Sequence, residues 1–216
     1  MKKSFIIIIL FISTNALFSQ EYYFGATAGY GKWNTNYSPT LKYASNEYRD
    51  RMVLMSFIAE YKPVKPAFLY YNSGLTIQNC YSDNDKMCFI KIPLGSDLFI
   101  GGKNKLIFGV GIYGQFLINK SSVPYNDEFS SFQYGLYSDI GFIFFLTDKL
   151  RLIVKAQTAT DLTTFRKYYV TSYFGSSFLI DDYLYSCSLN VGLKYKINSK
   201  TDSKSKESET PGLEYQ

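Results

Sequence analysis

Eight segments of this chain alternate so that every second side chain is uncharged and mostly apolar. Each uncharged register steps by two residues and contains no charge, although 19% of the whole chain is charged. A period of two is that of a β-strand whose two faces meet different surroundings. We therefore expect eight strands, and their uncharged registers run over Tyr22–Tyr30, Val53–Tyr61, Leu69–Ile77, Ile90–Ile100, Leu106–Ile118, Phe132–Leu146, Leu150–Thr158 and Tyr185–Ile197.

The opposite registers of the same segments carry charges. A strand with one wholly uncharged face is typical of a wall with lipid on one side and a packed polar lumen on the other. The predicted fold is all-β: an eight-stranded antiparallel up-and-down transmembrane β-barrel. The charged side chains expected to point into its lumen are Glu60, Lys91, Asp97, Asp139, Arg151, Lys155, Lys194 and Lys196.

These inward charges are interpreted as a structural network. Buried charges need partners, and acids and bases can pair across a narrow lumen. Lys194 and Lys196 are expected near the periplasmic mouth, where water can solvate them. The alternative is a polar pathway for ions. Eight strands enclose an interior that their own side chains just fill, which argues against a wide pore. Inward aromatic residues are expected to fill it further, namely Tyr23, Phe99, Tyr113, Tyr137 and Phe145.

The connections between the segments alternate in length. Three are tight and rich in turn formers, at 62–66, 101–104 and 147–149. The longer ones span 34–50, 81–86, 120–130 and 159–184. Short periplasmic turns and long external loops are the outer-membrane pattern. The last link can extend two strands as a hairpin above the membrane, or supply two more strands and make ten. Its lack of two full spanning lengths favours eight.

The chain divides into three parts. Residues 1–19 have a basic start and a short apolar stretch, which predicts a secretory signal peptide cleaved before Gln20 or, alternatively, after Ala16. Residues 20–197 form the predicted barrel. Residues 198–216 are rich in Ser, Lys and Glu and are expected to be a disordered polar tail. The predicted location is the outer membrane of a Gram-negative envelope.

No residues with catalytic or ligand-binding chemistry stand out. The chain contains no histidine, so general-base chemistry that depends on one has no proton carrier here. Gly109, Gly111 and Gly114 spell G-x-G-x-x-G, but inside a strand pattern, where the inward Gly109 and Gly111 make room for bulky neighbours in the lumen or allow a bend. No zinc or EF-hand spacing occurs, and a net charge of +5 comes without a basic, aromatic-interleaved run. We predict a non-enzymatic protein with no cofactor, no metal and no nucleic-acid partner.

The link 159–184 is too aromatic for a passive linker. It is a candidate contact surface for a protein or glycan partner, since aromatic and arginine side chains anchor binding. The alternative is that these aromatics cap the barrel mouth. The candidate residues are Arg166, Lys167, Tyr168, Tyr169, Tyr173, Phe174 and Phe178.

The three cysteines allow two interpretations. Cys80 and Cys88 flank a short hairpin loop and can form a disulfide in an exported protein. They fall in opposite registers, which favours two free thiols instead. Cys187 lies in an uncharged register and is expected to face lipid as a small apolar residue.

Three motifs carry a resemblance to a known family. The runs Phe89–Leu94, Phe108–Gly114 and Leu189–Ile197 resemble the bacterial outer-membrane β-barrel domain of the PorT-like group. The resemblance covers about residues 21–197 and implies an eight-stranded barrel among outer-membrane lipids. One member type of that group serves in protein secretion. The expected role is partner binding or envelope structure at the external loops, with an accessory role in secretion or envelope assembly, or a narrow channel, as alternatives.

Overall fold

The computed structural model describes residues 21–37, 50–63, 68–81, 86–102, 104–121, 128–171 and 177–198. No helix among them is long and apolar enough to cross a membrane. Regular structure there is β-strand: β1 (Glu21–Tyr37), β2 (Arg51–Lys62), β3 (Leu69–Tyr81), β4 (Lys86–Gly101), β5 (Lys105–Ser121), β6 (Glu128–Phe129), β7 (Phe132–Phe145), β8 (Leu150–Asp161), β9 (Arg166–Thr171) and β10 (Ser177–Asn198).

Eight of these strands close into an antiparallel barrel, as the alternation predicts. The neighbours run β1, β2, β3, β4, β5, β7, β8 and β10, and β10 pairs back onto β1. Residue partners followed once around the wall from Tyr23 return to β10 at Ser186, whereas Tyr23 itself pairs with Lys196. This ten-residue offset means that the strands are tilted against the barrel axis.

The predicted registers match the two faces of the wall. On β5, for example, Val110 and Ile112 are exposed while Ile107 and Tyr113 are buried. Within the described strands, outward charges appear near the loop end, as at Lys32, Arg51 and Lys120. An uncharged, largely apolar band therefore encircles the barrel below these positions.

The turn end of the barrel is tight. Gly101 has a φ of 120°, a left-handed conformation that glycine adopts without steric cost. The β7–β8 turn is closed by Leu146 N donating to Leu150 O at 3.0 Å. Thr147 Oγ1 accepts a further bond from Leu150 N at 2.9 Å. These turns fix which inward side chains meet at this end of the lumen.

The loop end is longer than predicted. The ladder between β1 and β10 continues to Tyr37 and Asp182, well past the predicted end of the first register at Tyr30. β9 pairs with the top of β10, and β6 pairs with β9. The link after β8 thus extends β10 as a hairpin above the wall, the first of the two arrangements considered, and adds no strand to the barrel.

Candidate functional site

The middle of the lumen is organised around one lysine and two carboxylates, here called the central triad. Lys155 Nζ donates to Asp97 Oδ2 at 2.7 Å and lies 3.1 Å from Asp139 Oδ1. The Asp97 side chain is fully buried, and the other two are nearly so. A Cβ at Gly109 would collide with both carboxylates. The glycine therefore leaves the space that the acids occupy, as the sequence motif predicts.

A second ion pair lies next to the triad, toward the turn end. Lys194 Nζ donates to Glu60 Oε1 at 2.9 Å, and both side chains are almost completely buried. The prediction that water solvates Lys194 at the mouth is therefore wrong, because the lysine pairs with Glu60 inside the lumen. The partners are far apart in sequence and reach each other across β1. Removal of either would leave the other charge buried without its counter-ion.

The turn end carries a third network, centred on Glu21. Lys62 and Lys196 contact its carboxylate at 3.1 and 2.6 Å. The Tyr23 hydroxyl donates to the same carboxylate at 2.5 Å and accepts a bond from Arg151 Nη2. The Arg151 guanidinium also lies over the rings of Tyr23 and Phe145, at 4.0 and 4.4 Å from their centres.

A fourth group occupies the loop-end half of the lumen. Asp161 accepts hydrogen bonds from the Tyr113 hydroxyl at 2.6 Å and from Gln115 Nε2 at 3.2 Å. Lys91 Nζ lies 4.1 Å from the centre of the Tyr113 ring. Gln115 also donates to Gln133 Oε1 at 3.1 Å. The buried polar groups are thus linked from β4 through β5 to β7 and β8.

The lumen is closed at both ends by apolar side chains. The turn-end plug consists of Tyr23, Tyr70, Phe99, Ile107, Ile143 and Ile153, with Phe145 packed against it. The loop-end plug consists of Trp33, Met52, Leu54, Cys80, Met87, Phe89, Phe165 and Leu184, with Leu117 and Phe129 packed against it.

A small cavity lies between the two plugs, beside the central triad. It has a volume of about 70 Å³, with Thr27, Asn72 and Tyr137 among the residues that line it. The Tyr137 hydroxyl donates to Asn72 Oδ1 at 2.9 Å across the lumen. A space of this size holds a few water molecules and is no continuous path through the barrel.

The structure divides the predicted lumen charges among these groups. Asp97, Asp139 and Lys155 meet, Glu60 meets Lys194, and the remaining bases have other surroundings: Arg151 and Lys196 lie at the turn end, and Lys91 lies at the loop end.

Sequence reasoning missed three charged members of these groups: Glu21, Lys62 and Asp161. Glu21 and Lys62 lie one residue and Asp161 three residues beyond a predicted segment, each in the continuation of its inward register. The predicted segments end where the apolar register ends, so extending the inward register past that point would have found them.

The candidate contact residues lie on or beside the hairpin of β9 and β10. Arg166 is half-buried and Lys167 exposed, with Lys167 Nζ 4.0 Å from Asp181. Tyr168 and Tyr169 are in β9 and Phe178 is in β10, while Tyr173 and Phe174 lie outside the described residues. The neighbouring Phe165 points down into the loop-end plug, where it packs against Phe89 and Phe129.

All three cysteines are free. Cys80 is buried in the lumen, and its register partner is Met87, whereas Cys88 pairs with Asn79. The structure therefore has free thiols at Cys80 and Cys88 and no disulfide between them. Cys187 is exposed on the outer face. Among the described residues, no three His, Cys, Asp or Glu side chains are grouped so that they could hold a metal ion.

Comparison with solved structures identifies the fold. The chain is similar to Neisserial surface protein A, at a TM-score of 0.55 and 16% identity over 82% of this chain and 97% of the other. The chain is also similar to the outer-membrane protein AlkL in lipid bilayers. The TM-score is 0.53 and the sequence identity 7%, over 84% of this chain and 92% of AlkL. Similarity to a major outer-membrane protein of Thermus thermophilus has a TM-score of 0.50 and a sequence identity of 12%, over 82% of this chain and 99% of the other.

Comparison at the level of sequence finds no relative. No family model matches the chain, and no curated protein matches it. The likeness to solved structures therefore shows an eight-stranded barrel fold of the outer-membrane type. The narrower resemblance to the PorT-like group stays a prediction from the strand motifs.

Proposed function

We propose that this protein resides in the outer membrane as a closed, non-enzymatic β-barrel and acts through its loop end, by binding a partner or by a structural role in the envelope. The uncharged band around the wall supports the membrane location, because lipid accepts an apolar face but not a charged one. The proposal includes export with removal of residues 1–19. Intact-mass measurement of the mature protein should then give a chain that begins at Gln20.

The strand pairing at the loop end is the observation that supports a functional role for this end of the barrel. Above the level of Lys32, β1 and β10 stay paired as far as Tyr37 and Asp182, and β9 pairs with the end of β10 beyond them, at Ser177–Asp182. These paired segments of β1, β9 and β10 extend beyond the uncharged band. A built, ordered structure beyond the lipid-facing wall is what a binding surface requires, since a preorganised surface loses less entropy on association.

The two plugs argue against the channel alternative. Aromatic and aliphatic side chains close the lumen at both ends, and buried ion pairs occupy its middle. Planar-bilayer recordings should therefore show no stable conductance above the bare membrane. A reproducible unitary conductance would favour the ion pathway.

The central experiment replaces residues 166–180 by a short Gly/Ser turn. Phe165 and Leu184 remain, so the loop-end plug is kept while the hairpin above it is removed. The barrel should still insert, because every residue pair of the eight-stranded wall is kept and the deleted part of β10 pairs only with β9. Cross-linked partners recovered from intact envelopes should be lost.

A matched control changes the other end of the barrel. Asp148→Ser alters the exposed β7–β8 turn and should leave the recovered partners unchanged. An unchanged partner set in the hairpin variant would contradict the proposal, and a failure to insert would show that the hairpin is needed for the wall. Recovery of secretion or assembly components would assign the narrower accessory role.

A further inference from the structure

The outer face of the wall carries a row of basic side chains near the loop end, here called the basic row. It consists of Lys32 on β1, Arg51 on β2 and Lys86 on β4, and all three side chains are exposed. Lys32 is the register partner of Arg51. Tyr81 on β3 pairs with both Arg51 and Lys86 and so joins them. The basic row therefore crosses four neighbouring strands without a gap.

The basic row borders the uncharged band. Two positions toward the turn end, the outward residues of β1 and β2 are Tyr30 and Val53, which are exposed and uncharged. At the opposite end of the same face lie Tyr22, Tyr61 and Tyr71, whose neighbouring ring centres are 5.8 and 6.1 Å apart. The outer face of β1–β3 is thus basic at one end only, at the level where the headgroups of a bilayer around this band begin.

Within the described residues, no acid balances the basic row. The acids of β1–β4 all belong to the lumen groups: Glu21, Glu60 and Asp97. Asp50, next to Arg51 in sequence, is buried and so turned away from the outer surface. Like charges directly opposite each other on neighbouring strands are destabilising, which is the arrangement of Lys32 and Arg51. An anion bound between these two side chains removes that cost.

We propose that the basic row binds the headgroup of an anionic lipid with two phosphates, in the leaflet around the loop end. The apolar band below the row accepts the acyl chains, and guanidinium and ammonium groups form strong bonds with phosphate oxygens. Lys32 and Arg51 hold one phosphate. Because the strands are tilted, Lys86 stands farther from the band and reaches the other. This inference rests on the proposed membrane location, but not on any partner of the loop-end hairpin.

The test uses the full mature chain in nanodiscs of phosphatidylcholine that contain a minor fraction of cardiolipin, whose headgroup has two phosphates. Native mass spectrometry identifies the lipids that stay on the released protein. The wild type should retain cardiolipin in preference to phosphatidylcholine. Arg51→Gln should lower this preference about fivefold, the contribution of one basic residue near an anionic surface. Lys149→Gln is the matched control, because Lys149 is also exposed but lies beside Asp148 at the turn end, and it should change nothing.

A second measurement distinguishes lipid binding from a structural role of Arg51. In vesicles of phosphatidylcholine alone, Arg51→Gln should unfold at the same urea concentration as the wild type or at a higher one, because the substitution removes repulsion with Lys32. Cardiolipin should raise the unfolding midpoint of the wild type much more than that of the variant. An equal loss of stability in both kinds of vesicle would show a structural role and overturn the lipid site.

Three further results would overturn the lipid site. The first is equal retention of cardiolipin and phosphatidylcholine by the wild type, and the second is equal weakening by Arg51→Gln and Lys149→Gln. The third is displacement of cardiolipin by inorganic phosphate, which would make the ligand a soluble one. A chain that does not enter nanodiscs at all would contradict the proposed membrane location, and this inference with it.

Discussion

At the scale of single residues, Lys155 holds two carboxylates that would otherwise repel each other. It lies within 3.1 Å of both Asp97 and Asp139. Lys155→Met should therefore cost more than Asp139→Asn, because the first change leaves two acids without a cation and the second leaves the Lys155–Asp97 pair intact. We expect about 3–5 kcal/mol for the lysine and about 1–3 kcal/mol for the aspartate. Urea unfolding of the refolded barrel measures both, and the reverse order would contradict the triad.

A glycine makes the triad possible. Gly109→Ala places a methyl group against both carboxylates, and overpacking of this kind costs about 1–3 kcal/mol. Gly102→Ala serves as the control, since a Cβ there meets nothing within 4 Å and should change the free energy of unfolding by less than about 0.5 kcal/mol. Equal effects of the two substitutions in the same unfolding assay would show that Gly109 makes no special room.

At the scale of strands, the alternation predicts the faces well and the ends poorly. The inward and outward registers of β5 follow the sequence pattern because lipid and lumen impose opposite demands on neighbouring side chains. Above the lipid band that contrast disappears, as at Lys32 on β1, while backbone pairing continues to Tyr37. Hydropathy does not detect such pairing, and β6 and β9 are too short to show a period of their own.

The β5 register gives a direct test of depth. Val110→Arg should cost roughly 2–4 kcal/mol in lipid vesicles, because Val110 lies in the middle of the strand with its side chain 64% exposed on the outer face. Ile118→Arg, near the loop end of the same face, should cost at most about 1 kcal/mol. Both values come from reversible unfolding in vesicles. Small, equal costs at the two sites would place this face outside the hydrocarbon region.

At the scale of the whole molecule, barrel closure decides which lumen charges meet. The sequence predicts the strand count and the inward charges, but the contact of Lys194 with Glu60, 134 residues apart, depends on the tilt and offset of the closed wall. The same geometry brings Arg151 to Tyr23 rather than to an acid. Pairing across a barrel is a property of the closed sheet, and no local pattern contains it.

The central claim is that a closed barrel of this chain is embedded in the outer membrane. Its most direct test is carbonate extraction of separated envelope fractions, followed by gel electrophoresis of unheated and boiled samples. The account predicts that the protein stays in the outer-membrane pellet after carbonate treatment and migrates differently before and after boiling, because the hydrogen-bonded wall resists detergent at low temperature. Release into the soluble fraction, with identical migration of both samples, would contradict it.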